Sequence, residues 1–173
     1  NLAIENAPSW YSAPSPPAMA TPSGLKFLND INNRNVLQVQ HALRKGHAHP
    51  NQNYLSVYPL NLAIENGDVD MAAVLLKFGA DPLLKCNPKN DKKITNGSEL
   101  AESMARDPEG KFRAESAIIA ELINDPKLLD ARFDAVQDRL EIQQQKENKM
   151  ILRVLGIGGL LMLLLMFYRY FLR

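Results

Sequence analysis

One cysteine, Cys86, occurs in 173 residues. An intramolecular disulfide is therefore excluded, as is a zinc cage built from two to four cysteines. Charge of one sign is also missing: 20 Lys and Arg stand against 19 Asp and Glu, for a formal net charge of +1. No global field draws such a chain to a polyanion, and no nucleic-acid partner is expected. There is no glycine-rich phosphate loop and no G-x-S-x-G elbow, and the acidic residues fall at helix caps or on faces of solvated type. We therefore expect no enzyme activity, no cofactor and no small-molecule substrate. Period-two alternation is absent as well, which leaves helices as the building material.

What chemistry-bearing residues there are lie close together in sequence. His41, His47 and His49 are the only histidines. His47 and His49 could offer two imidazoles to a metal, but no carboxylate or thiol is spaced to close the site, so no metal is expected. Lys85, Lys89, Lys92 and Lys93 make a small basic loop of the kind that is usually a solvated turn. Asn96-Gly97-Ser98 is a formal glycosylation triplet that carries little weight.

Residues 1–24 hold five of the eleven prolines (Pro8, Pro14, Pro16, Pro17 and Pro22), with no apolar period. They read as an extended arm. Trp10 and Tyr11 are its anchors, suited to a partner's groove or to the arm's own domain. The chain opens on Asn1 and not Met, which leads us to expect an initiator or targeting segment ahead of this numbering.

From residue 25 to about 125 the pattern is short helices divided by Gly, Asn and Pro turns. Pro59 opens a helix carrying Leu60, Leu62, Ala63 and Ile64, and Asn66-Gly67 ends it. A second helix follows from Asp68 with Val69, Met71, Ala72, Val74, Leu75 and Leu76, and Gly79 stops it. Tyr58-Pro59-Leu60-Asn61-Leu62-Ala63, then Asn66-Gly67-Asp68 and residues 74–82, resemble one unit of the ankyrin-repeat family. One ankyrin period back along the chain, Gly79 becomes Gly46, Val69 becomes Val36 and Leu76 becomes Leu43, so residues 25–51 resemble a degenerate preceding repeat. Residues 97–102 and 114–123 are similar to a third, which departs from the family in its longer spacing and in the Arg106-to-Lys111 stretch between its helices. The resemblance implies a short all-α solenoid that binds proteins and carries no reaction of its own. About three stacked units are near the minimum for stability.

The hexapeptide Asn-Leu-Ala-Ile-Glu-Asn occurs at residues 1–6 and again at 61–66. The first copy runs into the proline-rich stretch and is not counted as a fourth repeat.

After Pro126 no proline follows, and no glycine precedes Gly156. A long helix is expected. Leu129, Phe133, Val136 and Leu140, spaced by four and three, form an apolar seam suited to docking on the helical domain or on a partner helix. Residues 143–149 are polar and read as a solvated stalk. Residues 154–168 carry no charge at all, and residues 150–172 would reach roughly 34 Å as a helix, enough for a hydrocarbon core of about 30 Å. Arg153 and Arg169 would then snorkel, and Tyr168 and Tyr170 would sit at the interface. Gly156, Gly158 and Gly159 would allow a neighbouring helix to approach closely. The basic flanks weakly favour the helical domain on the cytosolic or matrix side.

The expected organisation is thus an arm (1–24), an ankyrin-like domain (25–125), a helical stalk (126–149) and a single transmembrane helix (150–173). The expected role is a non-catalytic structural accessory subunit of a multi-subunit membrane complex, with the lipid bilayer and other protein subunits as partners. The mitochondrial inner membrane is the favoured location, in a respiratory complex or ATP synthase. The alternative is a tail-anchored ankyrin adaptor of the outer mitochondrial or endoplasmic reticulum membrane.

Overall fold

The computed structural model describes residues 22–54, 57–86 and 95–171, with residues 22, 23, 95 and those from 152 onward described by the backbone alone. Among these residues the chain is all-α apart from one pair of two-residue strands. The helices are α1 (Pro22–Asn32), α2 (Val36–Arg44), α3 (Pro59–Glu65), α4 (Val69–Lys77), α5 (Gly97–Arg106), α6 (Arg113–Asn124) and α7 (Pro126–Phe171). Strands β1 (Lys85–Cys86) and β2 (Thr95–Asn96) pair antiparallel, with Lys85 opposite Asn96 and Cys86 opposite Thr95.

Local chemistry sets the helix ends. Pro59 occupies the first turn of α3, where its missing N–H is no loss. The Asp68 carboxylate caps α4 by accepting from the Met71 N–H at 3.0 Å, and the Asn96 side chain caps α5 through the Glu99 N–H at 2.9 Å. Asp125 does the same for α7, accepting from the Lys127 N–H at 2.9 Å. Each such cap is worth on the order of 1 kcal/mol.

The helices come in pairs, α1 with α2, α3 with α4 and α5 with α6. The first members pack in the order α1, α3, α5 and the second members in the order α2, α4, α6. Helix α4 lies in the middle and is buried nearly all round: Val69, Met71, Ala72, Ala73, Val74 and Leu75 are all out of water. With Phe27, Ile31, Leu60, Ile64, Ile119 and Leu122 they form the core. Each large side chain among them contributes about 1.5–3 kcal/mol of burial.

The first two pairs repeat each other in backbone detail, at the same step as in the sequence. Arg34 and Gly67 both stand at positive φ, as do Gly46 and Gly79. The Asn35 N–H donates to the Asp30 carbonyl as the Asp68 N–H does to Ala63, at 2.8 and 2.9 Å. The His47 N–H donates to Ala42 as the Ala80 N–H does to Leu75, both at 2.9 Å. The third pair breaks the pattern, because residues 107–112 take the place of a tight turn. Phe112 from that stretch lies over Gly67, so close that a Cβ on Gly67 would meet its ring at 2.5 Å.

The chain divides into two compact units, Asn1–Asp134 and Ala135–Arg173. The boundary falls inside α7, later than the junction at residue 125 that the sequence led us to expect, because the start of α7 is bonded to α4. Helix α1 likewise begins at Pro22, ahead of the expected domain start at Leu25, with Pro22 as its first residue.

Candidate functional site

Three places in the first unit hold side chains in specific arrangements. The first is the junction of α4 and α7. Phe133 meets Phe78 edge-on, with ring centroids 6.4 Å apart, and the Lys77 ammonium lies 6.0 Å from the Phe133 centroid. Two ion pairs flank the rings, Arg132 with Asp70 at 2.7 Å and Lys77 with Asp130 at 2.6 Å. Both are partly open to water, so each contributes at most about 1 kcal/mol, and their effect is chiefly to fix register. The edge-on rings add about 0.5–1.5 kcal/mol beyond the burial of their surfaces.

The second place is the loop after α2. The Asn51 side chain reaches the loop after α4, donating from Nδ2 to the Gly79 carbonyl at 2.8 Å and accepting from the Asp81 N–H at 2.7 Å. Next to it the Asn51 N–H donates to His49 Nδ1 at 3.2 Å, and the His49 N–H donates to the Tyr54 hydroxyl at 3.0 Å. Tyr54 is buried against Phe27, centroids 5.6 Å apart, and exchanges two backbone hydrogen bonds with Val57. Burial pushes the His49 imidazole below its ordinary pKa and the Tyr54 phenol above its own.

The third is a cleft of about 320 Å³ on the first helix pair, between α1 and α2. Lys26, Phe27, Asp30, Gln38, His41 and His47 are among its walls, and Lys26 is paired with Asp30 at 2.7 Å.

The expected site residues are distributed unevenly over these places. Leu129 and Phe133 are half-buried in the first unit, and Phe133 is the residue at the α4–α7 junction. In the second unit Val136 is buried and Leu140 half-buried. Trp10 and Tyr11 lie outside the described residues. Arg153, Gly156, Gly158, Gly159, Tyr168, Arg169 and Tyr170 fall where α7 is described by its helical backbone alone. The three histidines are divided, His41 and His47 at the cleft and His49 in the loop network. Among the described residues no group of three or more His, Cys, Asp and Glu is arranged to hold a metal ion.

No family model matches the chain, and no curated protein or solved structure does. Among the residues whose side chains are described, no helix is long and apolar enough to cross a membrane. The uncharged run 154–168 lies beyond those residues.

Several of these features have no local sequence signal. Asp70 and Arg132 are 62 residues apart, and neither has a neighbour in sequence that marks it as a partner. Asn51 reads as an ordinary turn residue. The cleft, in contrast, could have been located by carrying the buried face of α3 and α4 back by one repeat.

Proposed function

We propose that this chain is a non-catalytic structural accessory subunit of a multi-subunit membrane complex, located in the mitochondrial inner membrane with a respiratory complex or ATP synthase. In this reading the helix pairs are ankyrin-type repeats, and residues 150–173 are a single transmembrane helix. The observation that supports it most is at the start of α7. Phe133 is seated on Phe78 between two ion pairs, and the same helix continues without a break to Phe171, through the uncharged residues 154–168. A helix fixed to a folded domain at one end and apolar at the other is suited to hold that domain at a membrane. The periodic recurrence of turns and hydrogen bonds supports the repeat assignment. Repeats of this kind offer surfaces to other proteins, which makes neighbouring subunits the expected partners.

The test is mild-detergent extraction of native membranes, separation on a native gel and mass spectrometry of the band that carries this chain. Co-migration at fixed stoichiometry with respiratory or ATP synthase subunits is the expected result. Migration alone, or with a soluble client in variable amount, would overturn the subunit reading in favour of a tail-anchored adaptor. Recovery in the soluble fraction would overturn both.

A further inference from the structure

The first and third helix pairs are charged with opposite sign. Residues 22–51 carry four basic side chains, Lys26, Arg34, Arg44 and Lys45, against one acidic, Asp30, while residues 97–125 carry seven acidic against three basic. The chain as a whole is close to neutral, at +1, so the imbalance belongs to the two ends of the stack. Surfaces charged in this way attract each other between molecules and repel their own kind.

The positive end also has an open face. Among the described residues, the walls of the cleft of about 320 Å³ come from α1, α2 and residues 47 and 48, with none from α3 or α4. Lys26, Gln38, His41 and His47 are exposed in those walls, whereas their counterparts one repeat later, Pro59, Met71, Val74 and Ala80, are all buried. The first pair packs on the second by α1 against α3 and α2 against α4. The cleft therefore lies on the side of the first pair turned away from the second, and its buried counterparts lie on the side of the second pair that the first covers. The cleft is thus a stacking surface, and what fits it is the far side of another helix pair.

The negative end supplies such a side. Helix α6 packs on α4 and α5 with Ser116, Ile119 and Leu122 buried. At 3.6 residues per turn Ala114, Ala117, Ile118 and Glu121 are turned away from that buried face, and all four are exposed. Ile118 is a large apolar side chain left 41% exposed, and the alanine beside it lets another surface come close.

We propose that the cleft on α1 and α2 receives the exposed face of α6 from a second copy of the chain, with Ile118 entering it and Glu121 meeting its basic rim, so that copies stack head to tail. The interface is heterologous: each copy uses its positive end once and its negative end once, and further copies can be added by the same contact. Pairing of two clefts about a two-fold axis would set the basic ends against each other, which the same charges disfavour. This inference rests on the repetition of the helix pairs and is independent of the membrane-assembly reading.

The test uses the full chain in non-ionic detergent micelles. Gln38→Cys and Ala117→Cys are made as separate variants, each with Cys86→Ser, and are oxidised alone and mixed. The expected result is a disulfide-linked dimer from the mixture and monomer from either variant alone. Equilibrium sedimentation of the wild type should show self-association that Glu121→Lys and Ile118→Lys each weaken about tenfold. A linked dimer from Gln38→Cys alone would overturn the proposal in favour of a symmetric pair of clefts. No dimer in any sample would overturn it outright, and association that neither Lys substitution weakens would overturn it by placing the contact elsewhere in the chain. The four substituted residues of the stack are all exposed, so unchanged far-ultraviolet circular dichroism is expected and separates loss of contact from loss of fold.

Discussion

Arg34 and Gly67 hold the same left-handed backbone conformation, φ 58° and 59°, at equivalent turns of the first and second helix pairs. One is a position where an L side chain is accommodated, and the other is a position where none fits. The Arg34 guanidinium turns outward to donate from Nη2 to the Asn66 carbonyl at 2.8 Å, while Phe112 closes the space over Gly67.

Opposite substitutions at these two turns should therefore have opposite effects. Arg34→Gly removes a left-handed non-glycine residue, worth about 1–2 kcal/mol, and loses one exposed hydrogen bond of about 0.5–1 kcal/mol, for a small net gain in stability. Gly67→Ala adds the same backbone cost and drives a methyl group into the Phe112 ring, for a loss of about 2–4 kcal/mol. Urea unfolding of the full chain in detergent, followed by far-ultraviolet circular dichroism, measures both. A Gly67→Ala variant as stable as wild type would contradict the packing described.

Gln40→Met is expected to stabilise the chain by about 1 kcal/mol, because a buried unsatisfied amide costs about 1–3 kcal/mol and Met fills the same volume without it. Gln40 is 3% exposed on α2, and its Nε2 has no hydrogen-bond partner. Its counterpart one repeat later, Ala73, is apolar and buried. A lower unfolding midpoint for Gln40→Met would show that the amide contributes more than it costs.

At the α4–α7 junction, Phe133→Ala should cost about 2–3 kcal/mol, less than for a fully buried ring because Phe133 is half-exposed. The Asp70 and Arg132 pair should couple by less than about 1 kcal/mol in a double-mutant cycle with Asp70→Asn and Arg132→Gln, and the coupling should shrink in about 1 M salt. A coupling energy larger than the Phe133→Ala effect would reverse the order of importance given to rings and charges.

Stability should fall as pH drops below about 6.5, the ordinary histidine value, because of His49. Its folded pKa is depressed, so the unfolded chain binds the extra proton first and is favoured as pH falls through 6.5 toward the folded value. Above 6.5 the contribution is complete. The Asn51 N–H bond to Nδ1 acts in the same direction, since that nitrogen must stay unprotonated to accept it. Unfolding midpoints on either side of that value, for wild type and His49→Gln, measure the difference. Equal pH dependence in the two would exclude His49 as its source.

The helix ends of the central pair were legible because each is set within a few residues. Pro59, Asn66-Gly67, Asp68 and Gly79 punctuate the chain, and α3 and α4 begin and end among them. The start of α1 was hidden because Pro22, a helix-opening residue, closes a run of prolines that reads as irregular chain. The strands β1 and β2 have two residues each, too few to show any alternation. The spacing of Leu129 and Phe133 marks an apolar seam, but it could not say which surface the seam meets. That is decided by Phe78, Asp70 and Lys77, far back in the sequence. Long-range partners of this kind follow from the fold as a whole and not from any segment of it.

The contrast between the turn at Arg34 and the sealed turn at Gly67 also distinguishes the two junctions of the stack. At the first turn, Arg34 reaches the turn of the second pair by a hydrogen bond to the Asn66 carbonyl, and a side chain is accommodated there. At the second turn, Phe112 of the third pair fills the space over Gly67, so this junction accepts no side chain. Successive junctions of the stack are in this sense keyed differently, the first by a polar strut that could be exchanged and the second by an aromatic plug that could not.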